Sequence, residues 1–505
     1  MAIKEFPSSV KIKNVDRKSA DWQVHSASWD KMFLMYEGGA AIEAAAEQFL
    51  TRRPKEPPDV FQSRCARFSY ENHVGTAVDW YLAALFEKSP RAEAPEDAKI
   101  DEFYGEFEKN CDRAGTPFVE HLRTYYKNLL LFGRAATLVD LPPAGEYVNR
   151  QQEIDAGQDE PYLCAIDPRT IINSSFDEDG VLDWIIFYSR ECRADDPFKD
   201  EAKFDVWYYF DKTTYAVYER EIPKDENTKP PDDAEAQLVK GPKPHALADK
   251  KQVPIVYTEL PEGLWLMNRA FSPAKNHVNT ANALDWALMM SALAMPVIKM
   301  DGEFSLTLTE SGFIKLPRDS EYNWSEPEGK SHTLLADRAE NLVEQVFRAF
   351  YLIAQARSTS ATPAAQSGVS KQQDMAASQK ILNLFGDVMR NAMEKLMTGV
   401  SDARGEEIKW DIRGLEFPEE SPDVTLSMVG EALALDIPSD TFAREMQKTA
   451  ASAALPDAPR ELLDKIHEEI NSAPTKAERE MQEKKDHVDM ITKAGLKPKA
   501  PSFPV

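Results

Sequence analysis

At Gly133 the spacing of apolar residues changes period, and this change limits the folds open to the chain more than any other feature. Before it, apolar residues recur at helical spacing. After it they alternate or run on continuously, as in strands, and beyond Leu260 the helical spacing returns. Helices, then a β block, then helices again give an α+β chain, mainly α. With 505 residues the chain exceeds the ~250–300 at which single cores stop growing, so two or more structural units are expected.

The first helical block reads as four helices. Trp22, Trp29, Met32, Phe33, Met35 and Tyr36 place one within Asp21–Leu50, ended by the prolines at 54, 57 and 58. A second spans Val60–Phe86, closed by Pro90 and Pro95, and a third Ile100–Cys111. Thr116 reads as an N-cap with Pro117 at the first helical position of a fourth, which runs to Gly133. Then RAATLVDL, Arg134–Leu141, reads as a buried strand. Tyr162–Ile166, Trp184–Ser189, Phe204–Phe210 and Thr214–Glu219 follow as a meander, rich in β-branched and aromatic residues. The charged, proline-containing stretch 222–252 reads as a loop, and Val253–Leu260 as the last strand.

Phe271–Met295 carries only two formal charges, Lys275 and Asp285, and its many alanines predict a helix packed on more than one side, ended or kinked at Pro296. Residues 297–333 read as a small β insertion, with strands at Ser305–Thr309 and Gly312–Leu316. The next helix, Leu334–Arg357, has Leu335, Leu342, Val346, Phe350 and Ile353 on one face. A linker of small residues, Ser358–Gly368, leads to a long helix, Val369–Val400. Met375, Ser378, Leu382, Phe385, Met389, Ala392 and Leu396 form a narrow seam along it. One more strand falls within 406–417. The rest, from Ser421, is polar helix cut by Pro438, Pro456, Pro459 and Pro474, and residues 1–20 read as a polar, loosely held arm.

The chemistry that sequence motifs can reveal is missing. There is no phosphate-cradling GxxxxGK[ST], no GxSxG, no HExxH and no GxGxxG. The four cysteines form no CxxC pair, and none has a histidine at zinc spacing. Eight scattered histidines include no i, i+4 pair, so no cofactor or metal is expected. A net charge of -25 argues against gripping nucleic acid by phosphate neutralisation. No stretch approaches the ~18 apolar residues of a membrane span, and no signal-peptide core opens the chain, so production in a cytoplasm is expected.

Four segments carry a resemblance. FGRAATLVDLPP (Phe132–Pro143), PYLCAIDPRTIINSSFDEDG (Pro161–Gly180), AAQSGVSKQQD (Ala364–Asp374) and YLAALFEKSP (Tyr81–Pro90) are similar to segments of one family of tailed-bacteriophage portal proteins. They stand in that family's order, with Ser174 where the family has tryptophan. The element order resembles the portal fold of wing, stem, clip and crown. The resemblance implies an N-terminal arm at 1–20, a wing at 21–270, stem helices at 271–296 and 334–357 and a clip at 297–333. A tunnel loop at 358–368, a tunnel helix at 369–400, a return strand at 401–420 and a crown and tail at 421–505 complete it.

It further implies a non-enzymatic subunit of a closed ring of about twelve chains, assembled in the host cytoplasm and sited at the portal vertex of the virion. Its implied partners are its own copies, double-stranded DNA passing without sequence reading, the large terminase subunit, a head–tail adaptor, and the major capsid and scaffolding proteins, with no membrane. Arg357, Ser358, Thr359, Ser360, Gln366, Ser367 and Lys371 are then expected at the DNA channel. Met375, Leu382, Phe385, Met389 and Leu396 are expected on the ring-packing helix, and Phe304, Leu306, Leu308, Phe313 and Trp324 at the clip's docking surface. The alternatives are another virion structural protein, such as an adaptor or minor capsid protein, and a hydrolase without a recognisable motif.

Overall fold

The structure is a computed structural model. It describes residues 6–95, 102–142, 160–194, 201–223, 234–261, 263–292, 295–299, 321–325, 330–352, 368–415, 417, 422–435, 437, 439–455, 458 and 460–473. The chain is mixed α+β and mainly helical, in two compact units, 1–417 and 418–505. 

The first unit opens with a strand, β1 (Ser9–Lys11), and a short helix, α1 (Ile12–Val15). The helical block follows as α2 (Ala20–Glu37), α3 (Gly39–Ala44), α4 (Ala46–Phe49), α5 (Pro58–Cys65) and α6 (His73–Leu85). After it come a short strand, β2 (Arg91–Glu93), α7 (Glu102–Lys109) and α8 (Phe118–Phe132). Two of the expected helices are therefore split. The first breaks at Gly38, whose φ of +65° is a left-handed value that favours glycine. The second breaks between Cys65 and His73, where Asn72 caps α6 by accepting from the Gly75 N–H at 2.7 Å. At the start of α8, Pro117 takes the N-cap position rather than the first helical one, and no side chain caps it.

The β block forms two sheets, not one meander. β3 (Arg134–Asp140) is the middle strand of a three-stranded sheet. β4 (Tyr162–Ile166) lies on one side and β10 (Ile255–Glu259) on the other. Between them in sequence, β5 (Ile171–Phe176), β6 (Leu182–Arg193), β7 (Ala202–Asp211), β8 (Thr214–Ile222) and β9 (Glu235–Pro244) make an antiparallel meander, and β1 adds a sixth strand beyond β9. Stretch 222–252 thus holds a strand where a loop was expected, and the N-terminal arm is partly ordered.

β3 explains its own near-continuous apolar sequence. Ala135 and Val139 face the helical core, while Ala136 packs with Ile166, Ile185, Phe210 and Ile255 between the two sheets. A strand covered on both faces has no polar side to write. The outer face of the six-stranded sheet is covered by Ile12 and Val15 of α1, against Ile172, Trp207, Ala216 and Tyr218.

Helices then resume: α9 (Leu266–Ala292), a hairpin of β11 (Met295–Lys299) and β12 (Glu321–Ser325), α10 (Lys330–Ala349) and α11 (Gly368–Arg404). The β insertion begins at Met295, so Pro296 stands in a strand opposite Trp324 and does not end the helix. The expected strands at 305–309 and 312–316 lie outside the described residues. α11 has 37 residues, about 56 Å at 1.5 Å per residue. β13 (Asp411–Arg413) returns to pair with β2. Just past it the chain crosses α11 at Gly386, where a Cβ would stand 2.5 Å from the Leu415 carbonyl oxygen.

The second unit holds α12 (Pro422–Ala434), α13 (Asp440–Ala454) and α14 (Arg460–Ser472). Ser439 caps α13 by accepting from the Phe442 N–H. Arg444 donates to the Ala473 carbonyl at 2.9 Å, tying α13 to the end of α14.

Candidate functional site: the helix pair and its root

The most distinctive surface is built on α9 and α10, which pack along one another on either side of the β11–β12 hairpin. The start of α9 is fixed by Trp265. Its indole Nε1–H donates to the Leu131 carbonyl at 3.0 Å. Its ring lies so close to Gly133 that a Cβ there would stand 2.8 Å from it. Gly133 also has φ +73°, so the turn from α8 into β3 needs glycine twice over.

From there the inner half of α9 is core. Leu266, Met267, Ala270, Ala274, His277 and Val278 are buried, recurring at helical spacing. The matching part of α10 supplies Leu342, Val346 and Phe347, and Phe350 follows just past its end.

Two asparagines one turn apart then clasp α9 to the block below. Asn279 donates to the Phe49 carbonyl at 2.9 Å and accepts from the Thr51 N–H at 2.8 Å. Asn282 does the same with the Ser69 carbonyl and N–H, both at 2.9 Å, and the Ser69 hydroxyl donates to Asp285 at 3.0 Å. Such pairs satisfy backbone groups in segments that make no regular ladder.

Beyond the clasps, burial stops. Trp286, Leu288 and Met289 are 37%, 47% and 55% exposed, and Leu334 of α10 is 70% exposed. Trp286 and Met289, three residues apart, share one side of α9, and apolar side chains exposed together in this way mark a face that meets something other than water. A groove beside them is lined by Arg53, Arg64 and Arg67 as well as Trp286 and Met289. The Arg67 guanidinium lies 3.6 Å over the Trp286 ring, an attraction of about 0.5–1 kcal/mol at exposed sites. Arg64 pairs with Glu56 at 2.8 Å. The Arg53 backbone N–H and Arg64 hold the Glu56 carboxyl below its ordinary range.

Two of the four motif segments meet around one buried cation. Arg134 donates to the carbonyls of Pro168 at 2.9 Å and Ile171 at 3.1 Å, and lies 4.0 Å over the Trp29 ring. It thereby ties the GRAATLVDL strand to the IDPRTII turn and to α2. In the segment YLAALFEKSP, the Tyr81 hydroxyl donates to the Phe350 carbonyl at 2.6 Å, joining α6 to the end of α10. These are framework roles, legible once the segments are seen to touch.

Leu382, Phe385, Met389 and Leu396, expected on the ring-packing helix, are all buried inside this chain, with Tyr81 and Tyr126 edge-on to Phe385. The exposed residues of the described part of α11 are Lys380, Leu384, Asp387, Asn391, Glu394 and Lys395. Arg357, Ser358, Thr359, Ser360, Gln366 and Ser367 lie outside the described residues, as do Phe304, Leu306, Leu308 and Phe313. Lys371 and Met375 fall on α11 and Trp324 on β12, where the backbone alone is described. Sequence reasoning missed the asparagine clasps. Their signal was present but not specific: α9 carries four asparagines, Asn268, Asn276, Asn279 and Asn282, and spacing does not tell which two face backbone.

No activated nucleophile stands out among the described thiols. All four cysteines are free. Burial pushes the Cys111 thiol up to about 12 and the Cys164 thiol up to about 11, the reverse of what a reactive thiolate needs. His121 bonds Thr137 at 2.9 Å within the core, and burial pushes it down to about 4. Among the described residues, no helix is long and apolar enough to cross a membrane.

No family model matches the chain, and no curated protein matches it. Solved structures do. The neck of an empty GTA particle computed with C6 symmetry is 12% identical, over 77% of this chain and 94% of that one, with a TM-score of 0.40. The neck of a native GTA particle computed with C12 symmetry is 14% identical over the same shares, with a TM-score of 0.36. The virion of a native gene transfer agent particle is 11% identical over 74% and 89%, also with a TM-score of 0.36. At such identities and TM-scores, the likeness assigns no role.

Proposed function

We propose that this chain is the subunit of a portal ring, the channel at one capsid vertex through which DNA is packaged and ejected. The observation that carries the reading is the helix pair. Two helices rooted in the core bracket a β-hairpin, and a 37-residue helix follows. The four family-like segments support it, because three of them converge on the same framework.

In this reading α9 and α10 are the stem and the hairpin begins the clip, where the packaging ATPase and later the adaptor dock. The wing comprises the helical block and both sheets. The apolar face of Trp286 and Met289 packs against the next subunit. A closed ring needs such head-to-tail contacts, one patch on a different patch. The seam of α11 is spent inside the subunit, which leaves its exposed stripe for the neighbour. The excess negative charge suits a channel that must not hold DNA tightly, since each neutralised phosphate adds affinity.

Negative-stain electron microscopy with native mass measurement tests the reading. Rings with a central channel and a mass of about twelve chains are expected. A compact dimer without a channel overturns it.

A further inference from the structure

Three side chains from two elements converge beside the asparagine clasps. Glu71 lies in the loop leading to α6, His73 is the first residue of α6, and His277 is on the inner half of α9. One donor atom from each lies within 4.8 Å of the other two. Glu71 Oε2 stands 3.0 Å from His73 Nε2 and 3.9 Å from His277 Nε2. The imidazole centroids are 5.0 Å apart at an interplanar angle of 74°, so the rings meet edge to face and both present Nε2 to one carboxylate oxygen.

An ordinary surface ion pair would need one histidine. Here a second, 4% exposed, faces the same oxygen. Zinc bonds of about 2.0–2.2 Å in a tetrahedron hold their ligand atoms about 3.3 Å apart, so a contraction of at most about 1.5 Å would complete the set.

The three positions are also held in place without any ion. On either side of Glu71, the Tyr70 hydroxyl donates to the Met35 carbonyl at 2.7 Å and the Asn72 amide to the Tyr36 carbonyl at 2.8 Å. Asn282 fixes α9 against Ser69 close by. Ligands positioned by their own hydrogen bonds lose little freedom on binding. Glu71 is 66% exposed at its side chain, which leaves a path for entry and room for water. The positive end of α6 disfavours a cation, and the Glu71 charge offsets it.

We propose that Glu71, His73 and His277 form a binding site for a divalent transition-metal ion, zinc(II) above all, completed by water. Two imidazoles and a carboxylate without thiolate suit zinc and its neighbours rather than calcium or magnesium. The ion would staple the start of α6 to α9. The inference stands on this geometry alone and does not depend on the ring reading.

The test uses the full-length chain without an affinity tag, stripped with EDTA and re-equilibrated with zinc(II). Metal analysis after gel filtration is expected to find about one zinc per chain, and the melting temperature to rise with zinc by mass action. Cobalt(II) is expected to give the visible absorption of a tetrahedral site. Glu71→Gln and His73→Ala change partly exposed groups and leave the fold intact, and each is expected to weaken zinc binding at least about tenfold. Failure to retain zinc in the parent overturns the proposal, as does zinc retained undiminished in both variants.

Discussion

The two halves of α9 are made of similar residues and meet opposite fates. From Leu266 to Val278 the small and apolar side chains are buried in the subunit. From Asp285 to Met289 they stand in solvent. The change falls at the two clasps, Asn279 and Asn282, which hold the helix to backbone rather than to side chains. Low charge in a helix therefore says that a face will be covered. It does not say whether the same chain does the covering.

The strongest way to break this comparison is to charge the inner half. Ala270→Asp places an unpaired carboxylate where no surface remains, and is expected to cost about 4 kcal/mol or more. Urea unfolding reads this directly, and an unchanged midpoint would show that the inner half is not core.

The next effect is a pH dependence that reaches only the root. His121 sits on α8, next to the strand that the root is built on, and stays neutral down to about pH 4. An unfolded histidine takes a proton near pH 6.5. Stability from this residue is therefore complete above that value and falls as the pH drops from 6.5 toward 4, by about 3 kcal/mol. Comparing unfolding midpoints of the parent and His121→Gln at pH 7 and pH 4.5 isolates this share from that of the many carboxylates.

The smallest effect on stability is expected in the outer half. Trp286→Ala should change the subunit's unfolding free energy by less than about 1 kcal/mol and yet reduce the fraction of chains in rings. A large loss of stability with unaltered assembly would reverse the meaning given to that face.

Much of this fold was legible in residues whose role is local. RAATLVDL reads as a strand buried on both faces because it is one, and the second unit's helices end near the prolines that mark them. What was missed depends on partners distant in sequence. β9 contains Lys240, Gly241, Pro242, Lys243 and Pro244, poor strand material. It is tolerated because β1 pairs only with Glu235–Gln237, so the prolines fall where β9 meets β8 alone. The break after Cys65 is set by Asn72, Tyr70 and Asn282, whose contacts cross the chain. The clustering of His73 with His277 is a property of helix packing, and no spacing rule could reveal it.

The placement of β1 governs the order in which the molecule can be made. Val10 finds its strand partner at Ala236, so this segment, synthesised well before its partner, cannot reach its final place until most of the β block has followed it. Until then Ile12 and Val15 have no sheet to cover, and the outer face of Trp207 and Tyr218 has no lid. A bulky fusion ahead of Ser9 would occupy that unfinished edge during synthesis, whereas one placed after Ser472 would leave this step alone.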